Sequence, residues 1–158
     1  MSLDPREFRN ALGRFATGVC VITFEVDGKP YGMTANSFSS VSLDPALVLW
    51  SIQKDSECAP MFEQITHYGI NILTSEQQDV SNQYAKKGEH DLLPGTYRQG
   101  STGAFVLKQA MTSFECEIDQ RIDAGDHIIL LSKVHEMHND PADRQPLLFF
   151  AGKYREVK

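Results

Sequence analysis

Short segments with a period of two, each closed by a turn signal, recur along this chain and leave it few folds to choose from. Cys20, Ile22, Phe24 and Val26 fall on one face, and the hairpin dipeptide Asp27-Gly28 follows at once. The pattern predicts a return strand from Tyr31 to Phe38 and a third strand over Ala46 to Ile52, introduced by Asp44-Pro45. Tyr68 to Leu73 reads as a further strand. Phe114, Cys116, Ile118 and Ile122 then alternate with Glu115, Glu117, Asp119 and Arg121, which predicts a half-buried strand with those charges on a wet face. A turn at Ala124-Gly125-Asp126 sends His127 to Met137 back along it, and Leu147 to Phe150 with Lys153 to Val157 forms a last strand broken at Gly152. Short strands without regular strand–helix alternation exclude a parallel sheet. The fold class is mainly β, a small antiparallel barrel with two or three peripheral helices.

The helices have start signals. Asp4 can cap, Pro5 suits the first turn, and Phe8, Ala11, Leu12 and Phe15 recur at helical spacing up to Gly18. This amphipathic helix is expected to pack on the sheet. A short helix is predicted near Ser56, and another near Thr74, with Gln77 completing a capping box. Ala85 to Gly103 is the one long loop.

Composition narrows the function. A chain of 158 residues fits a single domain over 1–158. Fifteen basic against 21 acidic residues give a formal charge of −6, which speaks against a broad nucleic-acid footprint. No apolar run approaches the ~20 residues of a spanning helix. Cys20, Cys58 and Cys116 are odd in number and scattered, and Met1 to Arg6 has no apolar signal core, so a cytoplasmic protein is expected. Phosphate-loop, dinucleotide and zinc-protease motifs are absent. His135 and His138, on one strand, point to opposite faces and cannot chelate one ion, so no metal is expected.

Two polar segments stand out. Gly32-Met33-Thr34-Ala35-Asn36-Ser37-Phe38-Ser39-Ser40 puts small hydroxyl and amide side chains where a strand would carry bulky apolar ones. That suits a flat heteroaromatic ligand, or else a polar edge strand facing water, and composition alone favours the edge strand. Ser51 to Ser56 joins a buried strand to a helix start and could seat a phosphate, with Lys86 and Lys87 nearby; equally, Ser56 caps the helix and the lysines are solvated.

Phe15-Ala16-Thr17-Gly18-Val19, Gly32-Met33-Thr34-Ala35-Asn36-Ser37-Phe38, Ser40-Val41-Ser42-Leu43-Asp44-Pro45 and Gly125-Asp126-His127, in that order, resemble the short-chain flavin reductases, reductase components of two-component flavin monooxygenases. The resemblance runs from about Phe8 to Tyr154. It implies an FMN-binding split β-barrel, antiparallel and Greek-key-like, assembled as a homodimer. Trp50, Phe149, Phe150 and Tyr154 also look like more apolar surface than one small barrel buries, which agrees with a dimer.

The implied activity is hydride transfer from NAD(P)H to FMN, or FAD, with reduced flavin passed to a possible oxygenase. Alternatives are a flavoprotein with tightly held FMN that reduces another acceptor, and a non-enzymatic flavin-binding module. By position, Met33, Thr34, Ala35, Asn36, Ser37, Ser39 and Ser40 would meet the flavin ring and ribityl chain. Ser51, Ile52, Gln53, Lys54 and Ser56 would hold ribityl and phosphate, and Tyr84, Ala85 and Lys86 would close over them. His127 matches the family histidine near the nicotinamide, with Tyr154 beside the substrate. The chain departs from the family pattern at Gly103-Ala104-Phe105, where members carry Gly-x-Pro, and in the loop from Gly88 to Thr102.

Overall fold

The computed structural model describes residues 2–158. Helix α1 (Pro5–Leu12) leads into β1 (Thr17–Gly18), β2 (Cys20–Val26), β3 (Lys29–Ala35), β4 (Ser39–Leu43) and β5 (Ala46–Gln53). After α2 (Ala59–Phe62) and β6 (His67–Ile72), a 3-10 turn at Ser75–Gln77 runs into α3 (Gln78–Ala85). The remaining strands are β7 (Tyr97–Gln99), β8 (Phe105–Leu107), β9 (Thr112–Ala124), β10 (His127–Asn139), β11 (Leu148–Phe150) and β12 (Lys153–Arg155).

Seven strands form one antiparallel sheet in the order β3-β2-β6-β9-β10-β5-β4. Laid flat, its edges would stand about 29 Å apart at ~4.8 Å per strand. Yet β3 and β4, the two edges, are joined by only Asn36, Ser37 and Phe38, which reach roughly 13 Å at most. The sheet therefore curls until its edges meet. They meet without pairing, and the barrel is split at this seam. The Ser37 hydroxyl fastens the seam to β5: it accepts from the Ser51 amide (2.9 Å) and donates to the Ser51 carbonyl (3.0 Å).

The barrel interior holds Ile22, Phe24, Trp50, Phe62, Tyr68, Ile70 and Leu130. Trp50 is fully buried there, its Nε1 donating to Tyr68 Oη at 3.0 Å, so it is not the dimer surface expected from the sequence. Strand β2 is buried on both faces, because Val19 and Val21 pack outward against Leu73, Tyr84, Leu92 and Leu107. The three cysteines are free and buried, which pushes each thiol up to about 12.

Local signals are realised where they are local. Asp27 and Gly28 both take positive φ (52° and 81°) in the β2–β3 turn, and Asp4 accepts from the Arg6 and Glu7 amides. The Thr74–Gln77 capping box closes as predicted. Other expectations fail. The register shift at Asp119 turns Ile122, expected on the apolar face of β9, outward to 38% exposure. Helix α1 stops at Leu12 with Gly13 as its cap, well before Gly18, and buries no residue, so its apolar stripe does not pack on the sheet. The predicted long loop contains β7, which pairs with β8 to form a hairpin over the outer face of β6 and β9. That hairpin overturns the wet face at Glu115, which is fully buried.

The cover is built tightly. A Cβ on Gly69 would strike the Phe105 carbonyl, and one on Gly100 would land on the Glu115 carboxylate. Beneath it, Asn71 donates to Val21 O (2.9 Å) and Thr23 Oγ1 (3.0 Å) and accepts from Leu107 N (2.8 Å) and Ser113 Oγ (2.7 Å), so all its hydrogen-bonding capacity is used.

Candidate functional site at the barrel seam

Where β3 runs toward the seam, its outer edge changes character. Gly32 N donates to His90 O at 2.7 Å, and the Gly32 carbonyl lies 3.0 Å from His90 Nδ1, so the loop after α3 covers the strand edge at that point. Backbone groups of alternate residues on a strand point the same way, so the N–H and C=O of Thr34 also face outward, beyond the cover. They open on a cavity of about 480 Å³ lined by Met33, Thr34, Ala35, Asn36, Gln53, Ser56, Tyr84, Ala85 and Tyr154, all expected from the sequence. Val19, Asp55, Glu57, Ser81, Lys87, His90 and Phe149 complete the lining.

Each wall has its reason. Helix α3 sits on β3 through the Thr34 hydroxyl, which donates to Ser81 O at 2.6 Å. The β11–β12 hairpin turns through Ala151 and Gly152, both at positive φ, and brings Phe149 and Tyr154 edge-to-face with centroids 5.4 Å apart. Tyr154 Oη is then 2.6 Å from Ser81 Oγ and donates to Asn82 Oδ1 at 3.1 Å. On the polar side, Glu57 accepts from the Gly88 amide (2.5 Å) and meets His90 Nε2 (2.6 Å). The Gly88 hydrogen bond, ahead of His90 and Lys87, holds the Glu57 carboxyl below its usual range.

Other expected residues lie off the cavity lining. Ile52 is in the barrel core and can offer only backbone. Ser37 is spent on the seam, while Ser51 accepts and donates there through its backbone. Ser39 and Ser40 sit on the exposed edge strand β4, where the Ser39 hydroxyl donates to Ser40 O at 3.0 Å. Lys54 is drawn to Asp123 at the β9–β10 turn, and Lys87 rather than Lys86 takes the cationic place. The helix after Ser56 has four residues, too short to concentrate a dipole, so any anion seat here rests on side chains and loop amides. His127 is not in the lining, but it pairs with Gln53 across β10 and β5, which puts it at the rim. Its Nδ1 is 2.7 Å from Asp126 Oδ1, and that hydrogen bond lowers the Asp126 carboxyl below its ordinary value.

The residues that sequence reasoning missed carry weak signals. Ser81 looks like an ordinary surface polar residue, Asp55 lies within the Ser51–Ser56 segment without a role of its own, and His90 and Glu57 are 33 positions apart by number with no motif joining them. Only the fold of the Gly88–Leu92 stretch against β3 brings them together.

A family model described as "Flavin reductase like domain" matches residues 12–158. An FMN reductase (NADH), SmoA, of Agrobacterium fabrum is 40% identical over 153 residues, covering 96% of this chain and 85% of that protein. The reductase component of a flavin-dependent trigonelline monooxygenase of Acinetobacter baylyi is 45% identical over 130 residues, covering 82% of this chain but only 42% of that longer protein. Among solved structures, the flavin reductase PheA2 superposes with a TM-score of 0.90 at 38% identity, covering 99% of both chains. With a split antiparallel barrel, a cavity at its seam and these relatives, the chain belongs to the flavin reductase family.

Proposed function

We propose that this protein, as a single domain over residues 1–158, is an NAD(P)H:flavin oxidoreductase that passes reduced FMN or FAD to a separate oxygenase. The observation that carries this reading is the open backbone edge of Thr34 inside a cavity of about 480 Å³. A cavity of that size suits a tricyclic ring, and a strand edge offering both N–H and C=O matches the imide edge of an isoalloxazine. The residues present fit the group.

When bound, the flavin supplies hydride acceptance from the reduced nicotinamide, chemistry that side chains do not provide. The chain's own work is positioning. The Thr34 edge and the Asn36 amide fix the ring, Gln53 and Ser56 meet the polyol, and Lys87 neutralises the phosphate in a chain of net charge −6. Tyr154 and Phe149 wall one side, and His127 at the rim orients the nicotinamide. A second copy is part of the proposal. Leu12, Phe15 and Leu43 are 59%, 80% and 97% exposed, large apolar side chains that association would cover, and solution scattering is expected to give a dimer mass.

The test is nicotinamide oxidation by the purified chain, with and without free FMN or FAD. Consumption that rises and saturates with free flavin is expected. Tight flavin binding without oxidation would mean a binding module, and oxidation independent of added flavin would mean a resident prosthetic group. Replacing His127 with Ala is expected to raise the nicotinamide KM several-fold and leave flavin affinity unchanged, as measured by steady-state kinetics and flavin fluorescence.

A further inference from the structure

The outer face of β6, β9 and β10 carries a side-chain cluster that the seam cavity does not use. His67 on β6 lies directly opposite Glu117 on β9. On β10 the register shifts between Val134 and Glu136, leaving His135 as the extra residue of a bulge. Bulges re-aim side chains, and this one brings His135 Nε2 to 2.8 Å from Glu117 Oε1. The two imidazoles lie near one another, with centroids 6.3 Å apart and planes at 29°. One donor atom from each of the three residues falls within 4.8 Å of the other two.

Second contacts support ligation. The Thr66 hydroxyl is 2.9 Å from His67 Nδ1, which occupies that nitrogen and leaves Nε2 as the free one. A partner of this kind fixes the tautomer and ring orientation of a metal-binding histidine. Lys133, the neighbouring cation opposite Glu117, has its ammonium 3.6 Å from Asp119.

We propose that His67, Glu117 and His135 form a three-ligand site for a divalent transition-metal ion of the zinc class. Two imidazoles and one carboxylate favour Zn²⁺, Co²⁺, Ni²⁺ or Cu²⁺ over the all-oxygen preference of Mg²⁺ and Ca²⁺. Ligand atoms on one tetrahedral Zn²⁺ stand about 3.3 Å apart, so closing the site needs only small rotamer adjustments of side chains that are exposed or half-buried. The ion would tie three adjacent strands on the open side of the barrel. Water would fill its remaining position. The bulge also puts His135 and His138 on the same face, against the opposite faces expected from strict alternation, but His138 takes no part, because it is engaged with Glu115.

The test uses the full chain stripped with EDTA, titrated with Zn²⁺ by calorimetry and followed by thermal unfolding. One equivalent is expected to bind and to raise Tm by several degrees. His67→Asn and His135→Gln are each expected to weaken Zn²⁺ at least tenfold and remove the Tm rise, while His138→Gln and His90→Gln keep both. Both ligand variants should match the parent Tm in EDTA, since the positions are exposed. Thr66→Val is expected to weaken binding by a smaller factor. Absence of saturable binding below millimolar Zn²⁺, or binding unmoved by the two ligand variants, overturns the proposal. NADH oxidation in EDTA is read separately and is independent of either result.

Discussion

Strands β9 and β10 carry two Glu–His pairs on the same outer face, one covered and one open. Glu117 meets His135 at 2.8 Å with both side chains about 40% exposed. Glu115, two residues earlier, meets His138 at 2.6 Å, but its side chain is fully buried and it also accepts from the Thr102 amide (3.0 Å) and hydroxyl (2.5 Å). The chemistry is the same and the surroundings differ, because the β7–β8 hairpin lies over one pair and stops short of the other. In water the pair exchanges one set of solvated contacts for another and gains little. Under the hairpin, the buried carboxylate collects the Thr102 amide, the Thr102 hydroxyl and His138, so it holds the cover down.

The largest effect should separate the pairs outright. Replacing Glu115 with Ala leaves the Thr102 donors and His138 without their acceptor and is expected to cost about 3 kcal/mol in urea unfolding. Replacing Glu117 with Ala is expected to stay within about 0.5 kcal/mol. Equal losses would mean that the hairpin adds nothing to the pair it covers.

Next comes the cover itself. Gly100→Ala puts a methyl where the Glu115 carboxylate sits, and a loss of about 1–3 kcal/mol is expected, most of which should vanish in a Glu115→Ala background. Additive losses would mean that the hairpin resists the methyl by another route.

The smallest effect is acid sensitivity. Burial opposes ionisation of Glu115 most, but the Thr102 hydroxyl, His138 and the Thr102 amide together outweigh it and hold the carboxyl below its usual range. A lowered folded-state value means the stabilisation is complete above the unfolded carboxyl's ~4.3 and is lost as pH falls through the folded value. Glu115→Gln is therefore expected to flatten the acid limb of a stability–pH profile below about pH 4.3. Glu117, lowered chiefly by its hydrogen bond to His135, shares the direction, and Glu117→Gln should flatten that limb less because solvent screens the pair.

These pairs also mark where sequence reading ends. Alternation along β9 puts Glu115 and Glu117 on one face and Phe114, Cys116 and Ile118 on the other, and the structure agrees. Nothing in a period of two tells what will lie above a face. The lid over Glu115 comes from Tyr97–Leu107, whose part up to Gly103 reads as loop because its strands have three residues each. The site shows the same boundary. Thr34 and Asn36 were legible as polar residues in an unlikely place, and Met33, Ala35, Tyr84 and Ala85 followed from the family pattern. Lys54 and Lys87 were not separable, because a long side chain follows the nearest carboxylate and sequence does not place Asp123 beside residue 54. The stripe on α1 was legible as a stripe, but not that the barrel would leave it uncovered.

The seam has a consequence for how this protein can change over generations. Asn36, Ser37 and Phe38 link the two free edges of the sheet, and they continue directly from the strand that lines the cavity. Closure and ligand recognition are thus written in adjacent letters, Ser37 holding the seam and Asn36 facing the cavity, so a substitution that shifts the backbone at one disturbs the other. The Gly88–Leu92 stretch and the β11–β12 hairpin wall the same cavity from outside the seven-stranded sheet. Lineages that acquire a new substrate should therefore record the shift in those two walls and keep the seam nearly silent.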